Sequence, residues 1–261
     1  MEDKEKMARN SEGFEGRDLE NHGRDLESRD LKGIHKMLSY LKNKAVDKPE
    51  EMDKMLDVGC GYGALTRYIG DVLNIRELHG IDIDQERLSI SGRRRILTHK
   101  VDLNTQAFPF MDKYFDLVTS FNVLEQLISY DNVLMETHRV LKKDGLFILS
   151  LPNLGSYVNR GALLLGYQPR DIEISQVTTP GTLPMHKRGG LYNLHSATLR
   201  AMIELLTFYD FNIILTKPLR PITDERYTTT RNMYGKIMKP IDQTIGRIPS
   251  MSREFIILSR K

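Results

Sequence analysis

The stretch from residue 56 to residue 66, LDVGCGYGALT, combines an aspartate with three glycines at alternate positions. Glycine has no Cβ atom, so a glycine-rich backbone can turn sharply and approach a ligand closely. The residues that follow predict a helix, whose first N–H groups are free to bind a polar ligand. The stretch therefore predicts a ligand-binding turn between a strand and a helix, with contacts from Asp57, Gly59, Cys60, Gly61 and Gly63.

Two further carboxylates follow later apolar segments. Asp82 lies roughly 20 residues after the turn, the spacing at which an acid reaches ribose hydroxyls in nucleotide-binding folds. Asp102 follows a third apolar segment. Because the carboxyl ends of parallel strands share the ligand-binding edge of a sheet, Asp102 is expected at that edge as well. Asp84 is interpreted as a helix N-cap.

A nicotinamide dinucleotide is an alternative ligand, because Gly59, Gly61 and Ala64 also satisfy the pattern G-x-G-x-x-A. Asp57, however, stands where a dinucleotide fold has an apolar strand residue. An added carboxylate would also repel a pyrophosphate, whereas it would attract a ligand that carries ammonium and sulfonium groups. The charges therefore favour a cationic ligand.

Short apolar segments alternate with helical stripes along most of the chain. Such alternation predicts a parallel sheet with helices on both sides. Strands are predicted at 55–58, 78–83, 96–101, 115–121 and 146–151, and two closing strands at 211–216 and 255–259. Helices are predicted between them, including one over 85–95 and one that ends at residues 142–145, where Gly145 would permit the turn.

The chain divides into a charged arm and a single domain. Residues 1–32 are rich in charge and poor in bulky apolar side chains, so we expect a mobile arm. The domain is expected over 33–261, starting with a helix on which Ile34, Met37, Leu38 and Leu41 form one face. Insertions at about 153–195 and 217–252, the latter with a helix around 233–245, are expected to cap the substrate. Within the first insertion, Tyr157, Ala162, Leu164 and Leu165 would form a lid helix or add to the core, and the core is favoured.

Composition excludes several classes of protein. The chain has 261 residues, a formal charge of +3 and a single cysteine, so it has no disulfide framework and no zinc site built from several thiolates. No metal is expected. The charge is too small to argue for nucleic acid, and the longest aliphatic run, 162–165, is far too short to span a membrane. Without a signal peptide, a reducing cytoplasmic location is expected.

In order, these motifs resemble those of the class I S-adenosylmethionine-dependent methyltransferases, in particular the small-molecule enzymes of the quinone-biosynthesis type. The resemblance is close over about residues 50–153 and looser after 195. It implies an α/β Rossmann-like doubly wound sheet, mostly parallel with an antiparallel last strand. It also implies that residues 57–63 wrap the methionine part of S-adenosylmethionine, that Asp82 holds the ribose beside Ile83, and that Asp102 and Leu103 hold the adenine edge. Residues 122–126, NVLEQ, resemble the family's floor beneath the sulfonium, with Asn122 as a cofactor contact and Gln126 in place of the usual histidine.

The expected function is methyl transfer by in-line displacement to a small-molecule or lipid-like acceptor, which chiefly requires alignment of the two reactants. Candidates for a general base are Glu125, His186 and His195, while His138 is interpreted as structural. Candidates for substrate contacts are Tyr157, Asn159 and Arg160. An RNA methyltransferase and a non-catalytic cofactor-binding module are the alternatives.

Overall fold

The computed structural model describes residues 31–45, 52–175, 178–183, 193–219, 241 and 244–261. Its strands are β1 (Lys54–Val58), β2 (Glu77–Asp82), β3 (Leu97–Lys100), β4 (Phe115–Phe121), β5 (Leu141–Pro152), β6 (Asn212–Leu219) and β7 (Glu254–Arg260). Its α-helices are α1 (Leu31–Tyr40), α2 (Ala64–Leu73), α3 (Gln85–Gly92), α4 (Asp131–Val140), α5 (Tyr157–Leu164) and α6 (Leu199–Phe208).

The seven strands form one sheet in the order β3-β2-β1-β4-β5-β7-β6. Strands β3, β2, β1, β4 and β5 pair in parallel, and β7 pairs antiparallel with both β5 and β6. The predicted fold class, a mostly parallel doubly wound sheet with an antiparallel last strand, is confirmed.

Two apolar cores lie on opposite faces of this sheet, because alternate strand residues point to opposite sides. On β1, Met55 contributes to one core and Leu56 to the other. The helices α1 and α2 cover the first face, and α4 and α6 cover the second. The predicted face of α1 is confirmed, since Ile34, Met37, Leu38 and Leu41 are all buried.

Several predicted boundaries are wrong by a few residues. Helix α3 ends at Gly92, not near residue 95, and α4 ends at Val140, because Leu141 already pairs with Phe115 of β4. The predicted turn at 142–145 is part of β5, where Asp144 has the left-handed backbone (φ 63°) and Gly145 does not have a positive φ.

The expected arm and second insertion are also too long. Helix α1 begins at Leu31, inside the expected arm of 1–32, and residues 1–30 lie outside the described part of the chain. The insertion expected from residue 217 begins within β6, where Lys217 and Pro218 still pair with β7. Most of the helix predicted around 233–245 lies outside the described residues; residues 245–247 form a 3-10 turn.

The first insertion contains α5, which has Ser156 as its N-cap and ends at Leu164, two residues before the left-handed Gly166. Ala162 is buried as expected, but Leu164 and Leu165 are exposed, so the prediction that they join the core is wrong. They stand at the helix end, where the chain turns back before the rest of the domain can cover them. Among the described helices, none is long and apolar enough to span a membrane.

Candidate functional site

The turn after β1 is a left-handed glycine loop held against β2. Gly59, Gly61 and Gly63 have φ values of 73°, 53° and 74°, which favour glycine. The N–H groups of Gly59 and Cys60 both donate to the Ile81 carbonyl, at 2.8 and 3.1 Å. Gly61 is half-buried, yet a Cβ built on it would meet no heavy atom within 4 Å.

Asp82, at the end of β2, holds the glycine loop from the other side. One carboxylate oxygen accepts from the Gly61 N–H at 2.9 Å, and the other accepts from the Asp84 N–H at 3.0 Å. The side chain is buried in the cleft wall. The neighbouring Asp84 accepts from the backbone N–H groups of Glu86 and Arg87, so its predicted role as N-cap of α3 is confirmed.

A tight turn after β3 presents Asp102, Leu103 and Asn104. The Asp102 carboxylate accepts from the backbone N–H and side-chain amide of Asn104 and from the Thr105 hydroxyl, at 2.9–3.3 Å. These bonds, first among them the one from the Asn104 backbone, lower the pKa of Asp102. Asn104 also accepts from the Ile128 N–H at 2.8 Å, which joins this turn to the segment after β4.

The segment after β4 forms the floor between the glycine loop and the Asp102 turn. Asn122 has a left-handed backbone (φ 56°) and its N–H donates to the Ser150 carbonyl of β5 at 3.1 Å. The Val123 methyl groups pack against Gly59, where a Cβ would come within 2.3 Å of one of them. The side-chain amide of Gln126 donates to the Asn122 carbonyl at 3.2 Å.

These elements enclose a cleft of about 630 Å³ at the carboxyl ends of β1, β2, β3 and β4. A cleft of this size at this sheet edge suits a small organic ligand. Eight of the ten predicted cofactor contacts line it: Gly59, Cys60, Gly61, Asp82, Ile83, Asp102, Leu103 and Asn122.

The other two predicted contacts, Asp57 and Gly63, lie behind the cleft lining. Asp57 is buried and accepts from the hydroxyls of Thr66 at 2.5 Å and Thr119 at 2.7 Å. Gly63 begins α2, and its missing Cβ makes room for the Ser91 hydroxyl. In this position both residues shape the loop from behind, and a direct contact with a ligand stays a prediction.

Comparisons with known proteins agree with this geometry. The family model described as "Methyltransferase domain" matches residues 56–149, which include the glycine loop, Asp82, Asp102 and Asn122. A crystal structure of an S-adenosylmethionine dependent methyltransferase from Mesorhizobium loti superposes with a TM-score of 0.52 at 16% identity, over 80% of this chain and 90% of that chain. At this identity the similarity shows the fold. Residues 56–149 thus match a methyltransferase domain, within a chain that has the fold of a solved S-adenosylmethionine dependent methyltransferase.

Curated relatives of this methyltransferase domain differ in the reactions that their names state. Demethylmenaquinone methyltransferase of Alkalihalophilus pseudofirmus is 34% identical over 105 residues, which are 38% of this chain and 44% of that protein. The human protein "Arginine-hydroxylase NDUFAF5, mitochondrial" is 31% identical over 110 residues, 42% of this chain and 32% of that protein. The chain spans about a third to a half of the length of the curated relatives it matches.

The cleft of the methyltransferase domain fits S-adenosylmethionine, the cofactor that this family implies. Each carboxylate oxygen has two lone-pair directions, and each oxygen of Asp82 accepts one backbone N–H. Asp82 therefore keeps capacity for two ribose hydroxyl donors. The open space at Gly61 allows a ligand to contact the backbone there directly. In the described part of the chain, no cluster of three or more His, Cys, Asp or Glu side chains could hold a metal ion.

The two described candidate bases, Glu125 and His195, lie outside the cleft lining. His195 donates from Nε2 to the Ile128 carbonyl at 2.7 Å, and its ring packs edge-on against Tyr130. Glu125 is 2% exposed, and its backbone carbonyl accepts from the N–H groups of Leu194 and His195. Burial, followed by the Glu125 charge, raises the pKa of Tyr130. His186 lies outside the described residues.

His138 packs edge-on against Phe211, and its backbone carbonyl accepts from Lys261. Burial lowers the pKa of its imidazole. These contacts support its structural interpretation, because they place the ring against the core at the end of α4.

The three candidate substrate residues make structural contacts near the start of α5. Asn159 is buried, donates to the Asn153 carbonyl at 3.1 Å and accepts from the Arg170 N–H at 2.8 Å. Arg160 donates to the Gly155 carbonyl at 2.7 Å, and the Tyr157 hydroxyl lies 3.3 Å from Arg253. Tyr157 thus contacts the loop before β7, Asn159 and Arg160 form hydrogen bonds within residues 153–170, and none of the three lines the cleft.

Sequence reasoning missed several cleft residues. Tyr62 and Arg87 face each other across one side, with the guanidinium carbon 5.6 Å from the centre of the tyrosine ring. Asn104 and Leu127 complete the opposite side. Two of them have a sequence position that could have indicated a cleft contact: Tyr62 lies between two of the glycines, and Asn104 directly follows Leu103. Arg87 gives no such signal.

Proposed function

We propose that this chain binds S-adenosylmethionine in the cleft and transfers its methyl group by in-line displacement to a small-molecule or lipid-like acceptor. The observation that carries the proposal is the pairing of Gly61 and Asp82: an open left-handed backbone position beside a buried carboxylate that keeps two free acceptor directions. This pairing lies inside the matched methyltransferase domain.

In this proposal each part of the cleft holds one part of the cofactor. Asp82 accepts from the ribose hydroxyls, and the turn at Asp102 and Leu103 holds the adenine edge beside the exposed Ile83. The glycine loop and Asn122 face the methionine part. The cofactor supplies an activated methyl group on a positively charged sulfur, so the protein chiefly has to align the acceptor and exclude water.

The residues that line the cleft support a mechanism in which the protein aligns the acceptor with the methyl group and no histidine of the lining accepts a proton. Among the described residues of the cleft wall there is no histidine, and Gln126 stands where the family resemblance places one. Both described base candidates, Glu125 and His195, lie behind this wall. An acceptor that ionises readily, or that reaches the methyl group as a deprotonated nucleophile, needs no side-chain base.

The acceptor class is supported by a relative and by the first insertion. One relative is named for methylation of demethylmenaquinone, a lipid-like small molecule. The end of the insertion, at Leu194 and His195, is hydrogen bonded to the Glu125 carbonyl directly behind the cleft floor. We take residues 153–195 as an acceptor cap on a single domain, the first described helix of which begins at Leu31.

The test is a transfer assay with purified protein, S-adenosylmethionine and three acceptors: demethylmenaquinone, a long-chain alcohol and a short RNA. Transfer is read as S-adenosylhomocysteine formed and as methylated acceptor by mass spectrometry. We expect methylation of one of the first two acceptors, lost in Asp82→Asn and kept in Glu204→Gln, a matched exposed acid on α6. Methylation of RNA alone, or a hydroxylated product without S-adenosylhomocysteine, would contradict the proposal.

A further inference from the structure

The end of α5 exposes three consecutive leucines. The exposed fractions of Leu163, Leu164 and Leu165 are 56%, 87% and 68%, and Tyr167 is also exposed. Large apolar side chains exposed side by side mark an interaction site more often than scattered ones do. We call Leu163, Leu164, Leu165 and Tyr167 the leucine tip.

The leucine tip has a defined backbone. The Tyr167 N–H donates to the Ala162 carbonyl at 2.8 Å, and the Gly166 N–H donates to the Leu163 carbonyl at 3.0 Å. Together with the left-handed Gly166 (φ 77°), these two bonds form a Schellman helix end. The ordering of the exposed leucines is therefore already present before any partner binds.

The geometry of the tip argues for a lipid surface over a protein groove. Consecutive residues of a helix point about 100° apart, so three successive leucines project in three directions. A protein groove accepts one stripe of a helix, with spacing of three and four residues. A bilayer interface is apolar on all sides of an inserted tip, and tyrosine is enriched at the level of the headgroups.

The charge of the segment around the leucine tip, and its position in the fold, also favour a lipid surface. Residues 153–170 contain no acidic residue and two arginines; Arg170 is ion-paired with the following Asp171 at 3.2 Å, so the positive charge available near the tip is that of Arg160. Arg160 is exposed one turn before the tip, where it can meet anionic headgroups. Helix α5 follows the carboxyl end of β5, and the Ser150 carbonyl near that end binds the Asn122 N–H of the cleft floor. The start of α5 and the cleft therefore lie at the same edge of the sheet.

We propose that the leucine tip docks this chain on an anionic lipid surface, so that a lipid-like acceptor can enter from the membrane. The inference rests on the proposed function for the identity of the acceptor, but docking itself requires no catalysis. Three leucines and one tyrosine give weak, reversible binding, and anionic lipid is needed as a second source of attraction.

The test is sedimentation of the full chain with vesicles of phosphatidylcholine, with or without one-third phosphatidylglycerol. We expect binding to the anionic vesicles that weakens as salt is raised. Leu164→Glu should lower the partition coefficient about tenfold or more, because it replaces the most exposed leucine by an acid. The matched control is Met111→Glu, which alters another exposed apolar residue (72%) outside the tip and should bind like the wild type.

Absence of wild-type binding to anionic vesicles would overturn the proposal, and so would equal binding by Leu164→Glu and the wild type. A wild-type dimer that Leu164→Glu converts to a monomer, without vesicle binding, would instead identify a protein interface and also overturn it. Titration of the same samples with S-adenosylmethionine separates the two claims. Cofactor binding without vesicle binding refutes docking alone, and vesicle binding without cofactor binding refutes the proposed function alone.

Discussion

Gly59 and Gly61 lie in the same turn, yet alanine at each should cause a different defect. On Gly59 the new Cβ would lie 2.3 and 2.8 Å from the two methyl groups of Val123, whereas on Gly61 it would meet nothing within 4 Å. Both residues have a positive φ, 73° and 53°. A side chain at position 59 is therefore disfavoured by the backbone conformation and by packing against Val123. A side chain at position 61 is disfavoured by the backbone conformation and by the space that the ligand needs.

The magnitudes follow from these contacts. Alanine in the left-handed region costs about 1–2 kcal/mol, and overpacking a well-packed site costs about 1–3 kcal/mol. Gly59→Ala should therefore lower the free energy of unfolding by about 2–5 kcal/mol, and Gly61→Ala by about 1–2 kcal/mol. Gly61→Ala should in addition weaken S-adenosylmethionine binding about tenfold or more, because its methyl group enters the cleft.

Urea denaturation gives the free energies, and calorimetric titration gives the affinities. The packing part is isolated by a double-mutant cycle with Val123→Ala, which removes both clashing methyl groups. Gly59→Ala and Val123→Ala should couple favourably, whereas Gly61→Ala and Val123→Ala should be additive. Equal destabilisation by the two glycine variants, or unchanged cofactor affinity of Gly61→Ala, would refute this description of the loop.

Three further predictions concern other parts of the domain. The hydrogen bond from His79, followed by the one from Tyr114, lowers the pKa of Glu77 from 4.5 to about 2. The ionised Glu77 therefore stabilises the fold above pH 4.5, and this stabilisation is lost as the pH falls toward 2. Glu77→Gln should therefore reduce stability by about 1–2 kcal/mol at neutral pH and flatten the acid unfolding curve; an unchanged curve would contradict the assignment. Burial, with the charges of Asp57 and Asp82, raises the pKa of the Cys60 thiol. Alkylation of Cys60 at pH 8 should therefore be far slower in the folded chain than in urea. It should be slower still with S-adenosylmethionine bound, because Cys60 lines the cleft. Rapid labelling of the folded chain would show that the cleft wall is open. His195→Ala should reduce stability by about 1 kcal/mol through the lost bond to Ile128, with little change in the rate of transfer; a loss of activity with its own pH dependence would restore His195 as a base.

The parts of the fold that depend on local pattern could be predicted from the sequence. The bounds of β4, 115–121, agree with its apolar run, and the buried face of α1 follows from a spacing of three and four residues. The cap at Asp84 likewise depends on residues two and three positions away. In each case the signal lies within one turn or one strand.

The features that residue spacing does not reveal depend on distant contacts. Residue spacing does not show that Asn159 is hydrogen bonded to Asn153 and Arg170, or that Asp57 accepts a hydrogen bond from the Thr119 hydroxyl on β4. Nor does it show that Leu194 and His195 return to the floor behind Glu125. The leucine tip is exposed because α5 ends at Leu164 and the chain turns at Gly166, so an apolar composition alone wrongly indicated a core.

Calorimetric titration of the full chain with S-adenosylmethionine and with NAD, on wild type, Asp82→Asn and Glu204→Gln, tests the central claim most directly. We expect wild type and Glu204→Gln to bind S-adenosylmethionine and not NAD, and Asp82→Asn to bind at least about tenfold more weakly, since it loses the carboxylate offered to the ribose. Binding of NAD in preference, or an unchanged affinity in a folded Asp82→Asn, would contradict the assignment of this cleft.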